Sequence, residues 1–132
     1  RIKKEFNNIA STIPALTYAS KVQKKAASIG FDWSASFEII NKIYEEIDEF
    51  IDAEEQENKS GELEEFGDIL FSAVNLGRFK GIDPETALRA ANRKFVDRLS
   101  KIESLLNERG EEIKNTSKKD LNVLWQKIKR GQ

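Results

Sequence analysis

The sequence predicts an all-α fold, and three observations carry that expectation. Apolar residues recur at helical spacing through most of the chain. No run alternates apolar and polar residues as a half-buried strand would. Both prolines, Pro14 and Pro84, stand where a helix can begin. Long helices with short connections favour antiparallel neighbours, so the expected architecture is an antiparallel four-helix-bundle-like core with an extra short C-terminal helix.

The first long helix is expected over residues 14–29, with Leu16, Ala19, Val22 and Ala26 inward and Gly30 ending it. After a Phe31-Asp32-Trp33 loop, a second helix starts at Ser34 or Ser36 and reaches residue 57, with Ile40, Ile43, Ile47, Phe50 and Ile51 on one face. Asn58-Lys59-Ser60-Gly61 is expected to break the chain. A third helix then runs over 62–80 with Leu63, Phe66, Leu70, Ala73 and Val74 inward, closed by Gly81. Asp83 followed by Pro84 is an N-cap signal for a fourth helix to residue 108, along Leu88, Ala91, Phe95, Leu99, Ile102 and Leu106. Arg109-Gly110 ends it, and Ser117 caps a last helix carrying Leu121, Leu124 and Ile128. Residues 1–13 are expected to form an N-terminal arm or linker, and residues 14–132 the domain.

Composition narrows the chemistry. A chain of 132 residues suits one domain. It has no cysteine, which excludes disulfides and thiolate metal sites, and no histidine, the commonest general base. Any metal must then sit on oxygen, which points to Mg²⁺, Mn²⁺ or Ca²⁺. The 22 basic and 23 acidic residues nearly cancel, giving no reason to expect nucleic-acid binding. No apolar run approaches the ~20 residues of a membrane span. The start is polar, so the expectation is a soluble cytoplasmic protein. Methionine is absent even at position 1, from which we expect a segment of a longer chain.

The carboxylates are grouped. Glu45, Glu46 and Glu49 fall on the second predicted helix, Glu65 and Asp68 on the third. Residues three apart lie about 60° apart around a helix, so each pair can face one point. If the helices pack antiparallel, four hard oxygen donors converge, as a Mg²⁺ site requires. The same residues also fit a plain solvated face on which Lys42 pairs with Glu38 or Glu46, and spacing leaves both readings open.

Downstream, Lys94 and Arg98 share a helix side, preceded by Asn92, and can hold phosphate oxygens or simply pair with nearby acids. Trp125 and Lys129, also four apart, suit a nucleobase and a phosphate, or packing of the short helix.

These residues resemble the MazG family of nucleotide pyrophosphohydrolases, whose pattern is E-E-x-x-E, a variable spacer, then E-x-x-D. Here it reads Glu45-Glu46-Ile47-Asp48-Glu49, fifteen intervening residues, then Glu65-Phe66-Gly67-Asp68. The similarity runs through Gly30-Phe31-Asp32-Trp33, Val74-Asn75-Leu76, Gly81-Ile82-Asp83-Pro84 and Asn92-Arg93-Lys94-Phe95, then Trp125 with Lys129, and looks like the C-terminal domain of two-domain bacterial members. Gly61 stands where some close relatives carry a lysine. The resemblance implies an all-α nucleoside triphosphate pyrophosphatase that works as a homodimer, with a house-cleaning role in the nucleotide pool. It implies Mg²⁺, with Mn²⁺ as a substitute, on Glu46, Glu49, Glu65 and Asp68. Glu45 or Glu49 would serve water activation. Lys42, Asn92, Lys94 and Arg98 would meet the triphosphate, and Trp125 and Lys129 the nucleoside. The alternative is a non-catalytic helical binding or regulatory module of a larger protein. A di-iron carboxylate bundle is excluded by the absence of histidine.

Overall fold

Helix ends in this chain are set by a few side chains. The computed structural model describes residues 1–9 and 12–131; residues 10 and 11, in the expected arm, and residue 132 lie outside it. Among the described residues there are helices and no strand: α1 (Ile2–Asn7), α2 (Ala15–Ser28), α3 (Ser36–Glu55), α4 (Lys59–Phe79), α5 (Pro84–Glu108), a 3-10 turn at Ile113–Asn115, and α6 (Lys118–Lys129). The all-α expectation holds. The chain falls into two compact units, Arg1–Ala87 and Leu88–Gln132.

Two of the expected caps form as read. Asp83 Oδ2 accepts from the Thr86 N–H at 2.9 Å, and Ser117 Oγ from the Asp120 N–H at 3.1 Å. Gly30 closes α2 at φ +98°, where a side chain would be strained, while the Phe31 N–H bonds back to the Ala26 carbonyl at 2.9 Å.

The α3 helix starts at Ser36, one of the two expected residues. Ala35 is its N-cap, and Glu38 Oε1 accepts from the Ser34 and Ala35 N–H groups at 2.9 and 3.0 Å. One expectation is corrected. Asn58-Lys59-Ser60-Gly61 is not a break four residues long. Asn58 Oδ1 accepts from the Gly61 N–H at 3.1 Å, so the helix starts at Lys59 and Gly61 lies inside its first turn.

In the first unit α3 and α4 lie along one another, and α2 packs on α4. The short connection makes α3 and α4 an antiparallel hairpin. A Cβ built at Gly61 would stand 2.6 Å from Asn58 Nδ2 and 3.3 Å from the Ala53 Cβ, so the missing side chain leaves room for the Asn58 cap and for α3 beside it. The buried seam of α3 is Ile39, Glu46 and Ala53, seven residues apart. Of the stripe expected inward, Ile43 and Phe50 lie half-buried beside that seam, while the rest turn further around the axis. Ile40, Ile47 and Ile51 are accordingly exposed. On α4 only Val74 of the five expected residues is buried, while Leu63, Phe66, Leu70 and Ala73 are exposed. Both helices carry two apolar stripes, and this chain covers one of them.

In the second unit Ile102 and Leu106 of α5 meet Leu124 of α6, with Leu105, Ile113, Leu121, Trp125 and Ile128 packed around them. Leu88, Ala91, Phe95 and Leu99, expected on the same inward stripe, are exposed.

Leu106 is 1 % exposed and Val123 is 50 % exposed. Leu106→Ala should therefore cost about 2–5 kcal/mol in urea unfolding, and Val123→Ala less than about 1 kcal/mol.

Candidate metal and nucleotide site

The hairpin brings Glu46, Glu49 and Glu65 together. One carboxylate oxygen from each lies within 4.8 Å of the others. Glu46 is buried, Glu65 half-buried and Glu49 exposed, so the cluster opens to solvent at one edge. No protein donor reaches Glu46 Oε2 or Glu65 Oε2, although both atoms are buried. Such oxygens are costly to leave without a partner. Hard oxygens that no protein donor reaches fit a divalent cation.

Lys42, one turn before Glu46, places its Nζ 3.2 Å from Glu46 Oε1 and 3.4 Å from Glu45 Oε2. Glu45 thus stands at the rim of the cluster. Asp68 follows Glu65 by three residues on α4 but is exposed and outside the three-carboxylate group.

The remaining expected residues belong to the second unit. Arg98 on α5 sets its guanidinium 5.7 Å from the Trp125 ring centre, and Phe95 tilts against that ring at 5.5 Å. Asn92, Lys94 and Lys129 are exposed.

A family model described as phosphoribosyl-ATP pyrophosphohydrolase matches residues 9–95. The chain belongs to that family. A Thermotoga maritima protein named nucleoside triphosphate pyrophosphohydrolase/pyrophosphatase MazG is 42 % identical over 96 % of this chain and 48 % of its own length. A nucleoside triphosphate pyrophosphohydrolase of Escherichia coli strain K12 is 39 % identical over 95 % of the chain and 48 % of its own length. The uncharacterised YabN of Bacillus subtilis is 48 % identical over 49 % of the chain and 13 % of its own length. The chain spans about half the length of the first two.

Spacing did not single out Arg78, Asn75 or Gln23 of this phosphoribosyl-ATP pyrophosphohydrolase family member. Asp32, in the Phe31-Asp32-Trp33 loop, receives Arg78 Nη1 and Nη2 at 3.1 and 2.7 Å, and Asn75 Oδ1 receives the same guanidinium from Nε and Nη2 at 3.0 and 2.8 Å. Gln23 is buried and donates to the Phe71 carbonyl at 2.9 Å. Its only sequence signal is a polar residue set among Val22, Ala26 and Ala19 on an apolar stripe.

The electrostatics follow from the crowding. A proton shared with Glu49, then burial, then the Glu46 carboxylate push Glu65 up to about 7. Burial works to raise Glu46, but Lys42, with help from Glu65 and Glu49, holds it below its ordinary value. Lys42 is raised by Glu46 first and Glu45 second. Arg78 holds Asp32 low.

A carboxyl raised on folding binds its proton more tightly in the native state. That contribution is therefore full below the ordinary 4.5 and is lost as pH rises to about 7. Glu46 and Asp32, being lowered, act in a separate window below 4.5 and 3.8. Thermal melts of metal-free protein should show Tm falling between about pH 4.5 and 7 more steeply than in Glu65→Gln. Equal slopes would mean that the cluster does not share a proton.

Proposed function

We propose that the chain is a nucleoside triphosphate pyrophosphohydrolase that converts NTPs and dNTPs to nucleoside monophosphate and pyrophosphate with Mg²⁺, or Mn²⁺ in its place. The observation that carries this is the convergence of Glu46, Glu49 and Glu65 with two buried, partnerless oxygens. The printed names of the relatives at 42 % and 39 % identity support the reaction class.

Glu46, Glu49 and Glu65 would hold the cation, with Asp68 as a fourth ligand on the open side. A bound cation there supplies Lewis acidity toward phosphoryl oxygens and water. Glu45, or a free oxygen of Glu49, takes the proton of the attacking water. Lys42 holds Glu46 ionised and meets the triphosphate. Lys94 and Arg98 offset charge building on the pyrophosphate leaving group, Arg98 with its two-pronged donor geometry. Asn92, Trp125 and Lys129 complete the substrate contacts. No covalent intermediate is required, and the usual Ser–His or Cys–His pairs are unavailable to this composition. In a cell the reaction would serve as house-cleaning of the cytoplasmic nucleotide pool. Among the described residues no helix is long and apolar enough to cross a membrane.

We further propose a homodimer. Ile40, Tyr44, Ile47 and Ile51 are 39, 64, 38 and 42 % exposed on α3, and Leu63, Phe66 and Leu70 are 76, 51 and 45 % exposed on α4. Helical geometry puts both stripes on one side of the antiparallel hairpin, away from the side of Glu49 and Asp68. A contiguous apolar face of that kind marks a protein contact. Ile47→Asp should halve the mass seen in sedimentation while leaving helix content unchanged; a wild-type chain already monomeric would remove the dimer from the proposal.

Purified protein incubated with the NTPs, the dNTPs and phosphoribosyl-ATP, with and without Mg²⁺, should release monophosphate and pyrophosphate only with the metal. Glu49→Gln and Asp68→Asn should each lower kcat by about a hundredfold or more at unchanged circular dichroism. Diphosphate plus orthophosphate would relocate the cleaved bond. A folded chain inert toward every substrate would favour the non-catalytic helical module.

A further inference from the structure

Glu46 is the most deeply buried of the three clustered carboxylates, at 5 % exposure, and its two oxygens meet different surroundings. Oε1 lies 3.2 Å from Lys42 Nζ. Oε2 is buried, and no protein donor reaches it. The same ammonium lies 3.4 Å from Glu45 Oε2, so two carboxylates hold it in place. An ammonium has three donors, and the third stays free for a triphosphate oxygen. Glu49 and Glu65 each bring an oxygen within 4.8 Å of one from Glu46. A cation among the three carboxylates thus finds one oxygen of Glu46 open to it and the other claimed by a positive charge.

The difference matters because divalent cations use carboxylates differently. Mg²⁺ demands a near-ideal octahedron, and the acute bite of a carboxylate held through both oxygens does not fit right angles. Ca²⁺ takes about six to eight oxygens in a looser shell and readily grips both oxygens of one carboxylate. We infer that Lys42 selects the metal: by occupying Glu46 Oε1 it leaves that carboxylate a one-oxygen ligand, which suits Mg²⁺ and denies Ca²⁺ a two-oxygen grip. The inference rests on the metal reading of the cluster and adds to it, since three carboxylates alone attract any divalent cation. Lys42 acts here through Glu46 and is in this respect a positioning residue. Its charge also repels a cation in the site, but that repulsion is nearly equal for two ions of equal charge. The ratio of their affinities cancels it and isolates the effect of the claimed oxygen.

The test uses the whole chain without nucleotide. MgCl₂ and CaCl₂ are titrated separately into ¹⁵N-labelled, metal-free protein, and each Kd is read from the backbone amide shifts of residues 46–49 and 65–68. Lys42 is half-buried in mid-helix, where alanine is the best helix former. Lys42→Ala should shift the ratio of the two Kd values toward Ca²⁺ by about tenfold, the lower end of what the partner of a metal ligand contributes. Lys42→Met repeats the measurement with a side chain of similar length should alanine loosen the helix. Lys42→Arg, which keeps a cationic donor beside Glu46, should hold the wild-type ratio. Two Kd values that move together, or a ratio that shifts toward Mg²⁺ in the neutral variants, overturn the inference and leave the metal site in place. Wild-type protein that binds neither ion removes the metal reading itself, and the inference falls with it.

Discussion

Like charges pressed together between α3 and α4 are the constraint around which the first unit is organised. Three carboxylates share one small volume, and nothing in their side chains relieves the repulsion. The fold supplies two partial remedies. Lys42 reaches across one turn to Glu46 and Glu45, and Glu65 keeps a proton up to about pH 7. Neither remedy satisfies the two buried oxygens. A divalent cation would satisfy both at once and release the proton, so metal affinity and pH are linked through the same residues. Gly61 matters for the same reason, because a Cβ there would crowd the Asn58 side chain and the Ala53 Cβ at the tip of the hairpin.

The α4 helix serves three purposes at different angles around its axis. One edge carries Glu65 and Asp68. Further along the same side, Phe71, Asn75 and Arg78 form a wall of an aromatic cavity between α2, α4 and the 31–33 loop. The opposite side carries Leu63, Phe66 and Leu70, bare in a single copy. A rigid helix of this kind keeps the carboxylate cluster and the aromatic cavity at a fixed separation. The Asp32–Arg78–Asn75 bonds add to that rigidity by tying the 31–33 loop to α4.

Much of the fold was legible where a single side chain decides an outcome. Asp83 before Pro84, Ser117 before α6 and Gly30 after α2 act locally, and each behaves as its chemistry requires. Asn58 was misread because a residue suited to a loop is equally suited to start a helix, and the two differ only in where the next three residues go. The inward face of α3 was drawn too far around the axis at Ile40, Ile47 and Ile51, though not at Ile43 and Phe50, because Ile39 and Ile40 are both apolar and an acid, Glu46, occupies the buried stripe. The acidic cluster itself was readable from spacing as a possibility. Its convergence depends on helix register, which only packing sets. Gln23 was not singled out at all, since its role comes from a carbonyl 48 residues away.

The hairpin also limits how the connection between the two acidic motifs can change length. Opposed side chains on antiparallel helices stay opposed only if both helices grow together by whole turns. That means about seven residues in all, roughly three and a half on each side of the tip. Two or three residues taken up within the helices would swing Glu65 away from Glu46 and Glu49 without disturbing a single local propensity. Residues added at the tip beyond Gln56–Asn58 would leave the register untouched. Tolerated spacer lengths should therefore cluster at helical-turn increments, with any intermediate lengths absorbed in a bulging tip.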